Sequence, residues 1–174
     1  PRPPRNHRRQ RQMCIRDRRI QALGGGVSAA SHYVYYMSDD YQTSLGERTD
    51  AITPLASLKR AGIPTTLHSD APLAPPSPLV AAAVHTTRET RAGNISNADE
   101  ALSPYEALQA ITIDAAWALG KEREIGSIEV GKRADFTVLS DDPLQVKPTN
   151  WQNIKVWGVV IDGVKYPRSE NQNK

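Results

Sequence analysis

Ile63-Pro64-Thr65-Thr66-Leu67-His68-Ser69-Asp70-Ala71-Pro72 is a compact β-prone run that ends in a turn. Thr65, Thr66 and Leu67 suit a pleated, half-buried surface, and Ser69, Asp70 and Pro72 are turn formers. His68 and Asp70 stand two apart at the strand end. A side-chain period of two therefore points both to one face. On spacing alone, two readings of Asp70 stay open. It is a functional carboxylate at the end of a strand, where sites in parallel barrels gather, or it caps the loop that follows.

Upstream, Gly24-Gly25-Gly26-Val27-Ser28 leads into His32-Tyr33-Val34-Tyr35-Tyr36. This predicts a short buried strand ending near His32 and opening into a polar loop through Asp39, Asp40 and Tyr41. Pro54 to Ala61 reads as a helix, with Pro in its first turn and Gly62 as its αL stop. Downstream, the four prolines at 72, 75, 76 and 78 lack donors and fix φ, so this stretch is a rigid irregular loop. A helix from Leu79 to about Arg91 is expected to stop at Gly93. Ser103-Pro104-Tyr105-Glu106 is a well-formed helix start, with a Ser N-cap, Pro at the first position and Glu three residues after the cap. An apolar stripe carries that helix on to Leu119.

After Lys121 the pattern turns to β. Two hairpins, near 125–139 and 156–166, are expected to pair in one antiparallel sheet. The second is joined by Asp162-Gly163, a strong type I′ turn signal. Trp151, Trp157 and Tyr166 are assigned to its core. The βαβα rhythm of the first half is that of a parallel sheet, and the second half is antiparallel.

The 174 residues carry a net charge of +3, unevenly placed. Residues 1–19 hold eight arginines against Asp17 alone, a net +7, which leaves −4 on the other 155. An acidic domain behind a basic arm does not suggest nucleic acid or an anionic membrane as partner. A basic-tailed nucleic-acid module would also interleave aromatics with Lys or Arg in its folded part, and this sequence does not. The string Arg11-Gln12-Met13-Cys14-Ile15-Arg16-Asp17-Arg18 resembles translated sequencing-adaptor read-through, so residues 1–18 are set aside as a non-native, disordered tail. Residues 169–174 are expected to be a second disordered tail. Cys14 is the only cysteine, so the rest of the chain has neither disulfides nor thiolate metal ligands. No stretch approaches the ~20 apolar residues of a spanning helix, and no membrane partner is expected. The cytoplasm is the favoured compartment, with the native N-terminus expected to lie outside this chain.

Three stretches carry a family resemblance. His68-Ser69-Asp70-Ala71-Pro72-Leu73-Ala74-Pro75-Pro76 resembles the strand-eight segment of the amidohydrolase superfamily, in particular the amidohydrolase family 3 group. Leu102 to Thr112, followed by Ala115-Ala116, is similar to the helix after the barrel in those enzymes. Ile125-Gly126-Ser127-Ile128-Glu129-Val130-Gly131-Lys132-Arg133-Ala134-Asp135-Phe136 resembles the family's Gly-Ser-[Ile/Leu]-x-x-Gly-Lys-x-Ala-Asp signature. The three occur in family order.

The resemblance implies an α/β fold: the C-terminal portion of a (β/α)8 metal-dependent hydrolase barrel (residues 19–120) plus part of a small antiparallel β-sandwich (121–168). It implies hydrolysis of a non-peptide C–N bond, in an amide or formamide, by metal-activated water. Deamination and ester cleavage are the alternatives within the superfamily. Asp70 matches the strand-eight aspartate, whose implied role is metal ligand and proton acceptor. His68 and His32 are candidate substrate contacts. The implied cofactor is a divalent metal, Zn2+ as one or two ions, in a full-length enzyme that acts on a small molecule and has room to form a homo-oligomer. His-x-His, expected from strand one, is absent, and one carboxylate cannot hold Zn2+, which prefers four ligands. The chain by itself is expected to be inactive. His85 reads as a packing or solvent-facing helix residue, and Lys132 and Asp135 as turn residues of the signature.

Overall fold

The computed structural model describes residues 17–168. All but two residues of the arginine-rich tail, and all of the tail at 169–174, lie outside that range. Residues 17–22 are helical, and Gly24-Gly25 turns the chain into the first strand.

Strand β1 (Val27–Ala30) and strand β2 (Thr65–His68) pair in parallel, with Ala30 opposite His68. The expected strand is thus cut short. Ser31 N donates to the His68 carbonyl at 3.3 Å, and beyond this rung β1 has no strand beside it among the described residues. The chain turns instead into helix α1 (His32–Tyr35), so His32 opens a helix rather than ending a strand. The predicted polar loop is largely helix as well. Helix α2 (Ser38–Leu45) has Asp39 and Asp40 in its first turn, where carboxylates suit the positive end of the helix dipole. Helix α3 (Leu55–Arg60) and the αL Gly62 (φ 72°) follow as expected.

Helix α4 (Pro78–Thr87) ends earlier than the sequence suggests, because Arg88 takes a left-handed φ of 56°. The next helix is broken in two. Helix α5 (Pro104–Ala110) starts with the full capping box between Ser103 and Glu106. Thr112 then leaves helical geometry, its Oγ1 donating to the Leu108 carbonyl at 2.7 Å, before helix α6 (Ile113–Ala118). Three consecutive β-branched residues, Ile111-Thr112-Ile113, stand at the break, where χ1 crowding weakens a helix.

Residues 125–132 form turns, not the first arm of a hairpin. Gly126, at φ 91°, sits so close to α6 that a Cβ would meet the Ala116 Cβ at 2.6 Å. That approach is made at Gly126, while Ile128 and Val130 further along stay exposed. The antiparallel sheet therefore has three strands among the described residues, in the order β3 (Phe136–Leu139), β4 (Val156–Ile161), β5 (Val164–Pro167). The Asp162-Gly163 turn joins β4 to β5 as predicted.

The core gathers Ala29, Leu55, Leu58, Ile63, Ala82, Leu102 and Ala107 around Trp151 and Ile154. Trp151 thus plugs the α/β core instead of a sandwich core, and its indole Nε1 donates to the carbonyls of Pro143 and Val146. Trp157 and Tyr166 stay about half exposed on the small sheet.

Candidate functional site

Parallel pairing brings the C-terminal ends of β1 and β2 together, and the residues just beyond them, Ser31-His32 and Ser69-Asp70, share that end of the sheet. Asp70 is exposed and has a left-handed φ of 54°. Its carbonyl accepts from Leu73 N at 2.9 Å, which closes the turn. The extended path stops at His68, so the period of two does not reach Asp70. Both side chains are exposed, but alternation does not fix Asp70 to the face of His68. No hydrogen bond among the described residues occupies the Asp70 carboxylate, which is free to accept one.

His32 is buried, and neither ring nitrogen has a hydrogen-bond partner among the described residues. Its ring lies 4.2 Å from that of Tyr33. With Tyr35 and Tyr36 it lines an open-sided cavity of about 700 Å³, completed by Pro75, by α4 and by residues near 149–152. The tyrosine cluster was visible in the sequence, but its wall on α4 was not.

His85 is fully buried in α4, again with both nitrogens unpartnered among the described residues. Burial, with the Arg88 cation adding to it, pushes its pKa down to about 3. The ring therefore stays neutral and packs. Arg88 was missed by sequence reasoning, since an arginine between Thr and Glu reads as a solvated face. It is in fact completely buried. Its guanidinium donates to the carbonyls of Ser96, Thr53 and Ile52 and to the Thr53 hydroxyl. It thereby ties the turn after α4 to the segment entering α3. Desolvation lowers its pKa to about 10, against the raising influence of Glu100 and Asp50. Glu100 accepts from the backbone N–H and the hydroxyl of Ser57 near the start of α3.

The signature residues are structural. Lys132 Nζ donates to Ser127 Oγ and pairs with Glu129. Asp135 Oδ1 accepts from Asp162 N at 2.7 Å and so pins the β4–β5 turn. Among the described residues no three His, Cys, Asp or Glu side chains come together as a metal-binding group. Of these residues, Asp70 is the exposed carboxylate at this end of the sheet that could contribute to such a group. No helix among them is long and apolar enough to cross a membrane.

The family model described as the amidohydrolase family matches residues 17–165. The chain belongs to that family. It is 38% identical over 117 residues to the N-substituted formamide deformylase of Arthrobacter pascens, covering 67% of this chain and 22% of the relative. The amidohydrolase chain thus spans about a fifth of that enzyme's length. Its fold is similar to that of a metal-dependent hydrolase from Pyrococcus furiosus, with a TM-score of 0.62 and 25% identity over 75% of this chain and 26% of the other. It is also similar to an adenosine deaminase from Xanthomonas campestris with bound zinc, with a TM-score of 0.63 and 23% identity over 87% of this chain and 34% of that one. Its solved neighbours are amidohydrolases of the parallel-barrel type, and the chain itself is mixed α/β.

Proposed function

We propose that this chain supplies the strand-eight carboxylate of a metal-dependent hydrolase that cleaves the C–N bond of a small amide or formamide. In this reading β1 and β2 are the last two strands of a (β/α)8 barrel spanning residues 19–120, and residues 121–168 are one segment of a β-sandwich domain. The observation that carries it is the placement of Asp70: at the C-terminal end of a parallel strand, exposed, with an uncommitted carboxylate. Active sites of barrel enzymes are built at that end. The similarity to a formamide deformylase favours an amide-type substrate.

Asp70 would be the residue of this chain that holds a divalent ion, zinc in this reading, and such an ion would lower the pKa of a bound water toward ~7. The Asp70 carboxylate, within hydrogen-bond reach of that water, could then take up its proton. The other ligands come from residues beyond this chain, so the chain alone has no turnover. In this reading His68 and His32, at the same end of the sheet, are the substrate contacts of this chain.

The test is Asp70→Asn in the full-length enzyme, with kcat measured at saturating zinc beside a thermal melt. Asn keeps the size and one coordinating oxygen but accepts no proton at neutral pH. Turnover is expected to fall ~10²–10⁴-fold with the melt unchanged. A turn residue would behave differently: stability would drop by at most ~2 kcal/mol and kcat would stay near wild type. That second outcome sinks the proposal.

A further inference from the structure

Helix α4 is apolar on two sides. Ala82 faces the core, while Val80, Ala83, Val84 and Thr87 line the 700 Å³ cavity, Ala83 touching both. The positions 80, 84 and 87 follow the spacing of one helical stripe. An apolar stripe normally packs against other side chains. Here it lines a cavity, with Val84 only 8% exposed and Val80 half-buried, across from Tyr35, Tyr36 and Pro75. Tyr35 and Tyr36 stand edge to face, ring centroids 4.8 Å apart. The volume lies within the ~300–1,000 Å³ of small-molecule pockets, which are mostly apolar with aromatic walls.

Location adds a second, independent observation. The cavity takes residues from the segments that follow both parallel strands, His32 to Tyr36 after β1 and Ala74-Pro75 after β2. It is therefore at the end of the sheet where Asp70 stands. Its charged residues are of opposite sign, Glu89 and Arg91, and Arg91 is exposed. An ion entering an apolar cavity loses its hydration without a matching field. An uncharged group does not suffer that loss.

We propose that this cavity is the specificity pocket for an uncharged, ring-sized apolar group of the substrate, with Val80 and Val84 as its wall and the Tyr35–Tyr36 pair opposite. The proposal rests on the reading of this chain as part of an amide hydrolase, and deepens it by naming the substrate class. Amides bearing a ring are favoured over their methyl analogues because only they fill the pocket.

The experiment uses full-length enzyme carrying 13C-methyl valine, stripped of metal so that binding is read without turnover. Benzyl alcohol, benzylamine and benzoate are the probes. Saturable shifts of the Val80 and Val84 methyls are expected with benzyl alcohol, with at least tenfold weaker binding of the two charged analogues. Val84→Phe fills the pocket from its wall, and Gln152→Trp fills it from an exposed position at its rim, where the fold tolerates the change. Both are expected to abolish the shifts. With metal restored, both are also expected to lower kcat/KM for acetanilide at least tenfold relative to N-methylacetamide, within the 10–200-fold reach of a hydrophobic pocket. Absent shifts, equal binding of the charged probes, shifts that survive both fillings, or an acetanilide preference that survives them would each overturn the proposal. An enzyme that hydrolyses neither amide but shows the shifts retains the pocket and loses the reaction. A loss of turnover in Asp70→Asn without any shifts does the reverse.

Discussion

Trp151 and Trp157 lie six residues apart in regions that treat the same side chain in opposite ways. Trp151 is 0% exposed, inside the α/β core, with its N–H satisfied by two carbonyls. Trp157 is 51% exposed, on a sheet where Ile161, Val164 and Tyr166 are also open. The α/β region, residues 27–118, closes its core by borrowing Trp151 and Ile154 from the segment that leads to β4. The small sheet lends those residues' neighbourhood but receives no cover for its own apolar side among the described residues. Alternation and turn chemistry are enough to specify strands, but burial requires a partner.

The largest effect that tests this contrast is expected at Trp151. Trp151→Ala removes the largest buried side chain and leaves Pro143 and Val146 without their indole donor. Large-to-small changes of this kind cost about 3–5 kcal/mol, and the loss should appear in urea melts with no change in m-value. A loss below about 1 kcal/mol would mean that the α/β core closes without the C-terminal segment, and the contrast would fail.

His85 sharpens the same contrast through pH. Its folded pKa of about 3 lies below the ordinary value of 6.5. Between those values the unfolded chain binds the proton that the folded ring refuses, so stability rises with pH across the window and is level above it. One such group gives a slope approaching about 1.4 kcal/mol per pH unit. Wild type should therefore lose about 2 kcal/mol more than His85→Leu between pH 7 and pH 5, read from melts at the two pH values. Equal losses would show that the ring finds water or a partner and is not sealed in the core.

Elements built from local signals were legible: the capping box at Ser103, the helix before Gly62, the proline loop and the Asp162-Gly163 turn all stand where the residues put them. Misread elements depended on neighbours. The β-prone His32-Tyr33-Val34-Tyr35 is helical where, among the described residues, β1 has no strand to pair with past His68. Residues 125–132 alternate like a strand yet form turns that touch α6 at Gly126 and leave Ile128 and Val130 exposed. At the candidate site, Asp70 could be picked out by its motif and His32 by its place beside the tyrosines. The buried state of Arg88, and the cavity wall at Val80 and Val84, depend on segments far apart in sequence, Ile52-Thr53 for the one and Tyr35-Tyr36 and Pro148-Thr149 for the other, which no local pattern announces.

The smallest effect is expected at Trp157, and it decides whether the sheet's open face is a property of this chain. Half the indole is already in water, so Trp157→Ser removes little buried area. Exposed substitutions of this sort stay within about 0.5 kcal/mol, and urea melts of the 174-residue chain should barely separate the variant from wild type. A loss like that at Trp151 would require the face to be covered. Its dependence on protein concentration would then name the cover: a loss that grows with concentration points to a second copy, since association stabilises by mass action, and a concentration-independent loss points to a segment of the same chain. Either result would erase the difference between the two tryptophans. A small, concentration-independent effect keeps it, with Trp151 as the anchor of one region and Trp157 on the face the other leaves open.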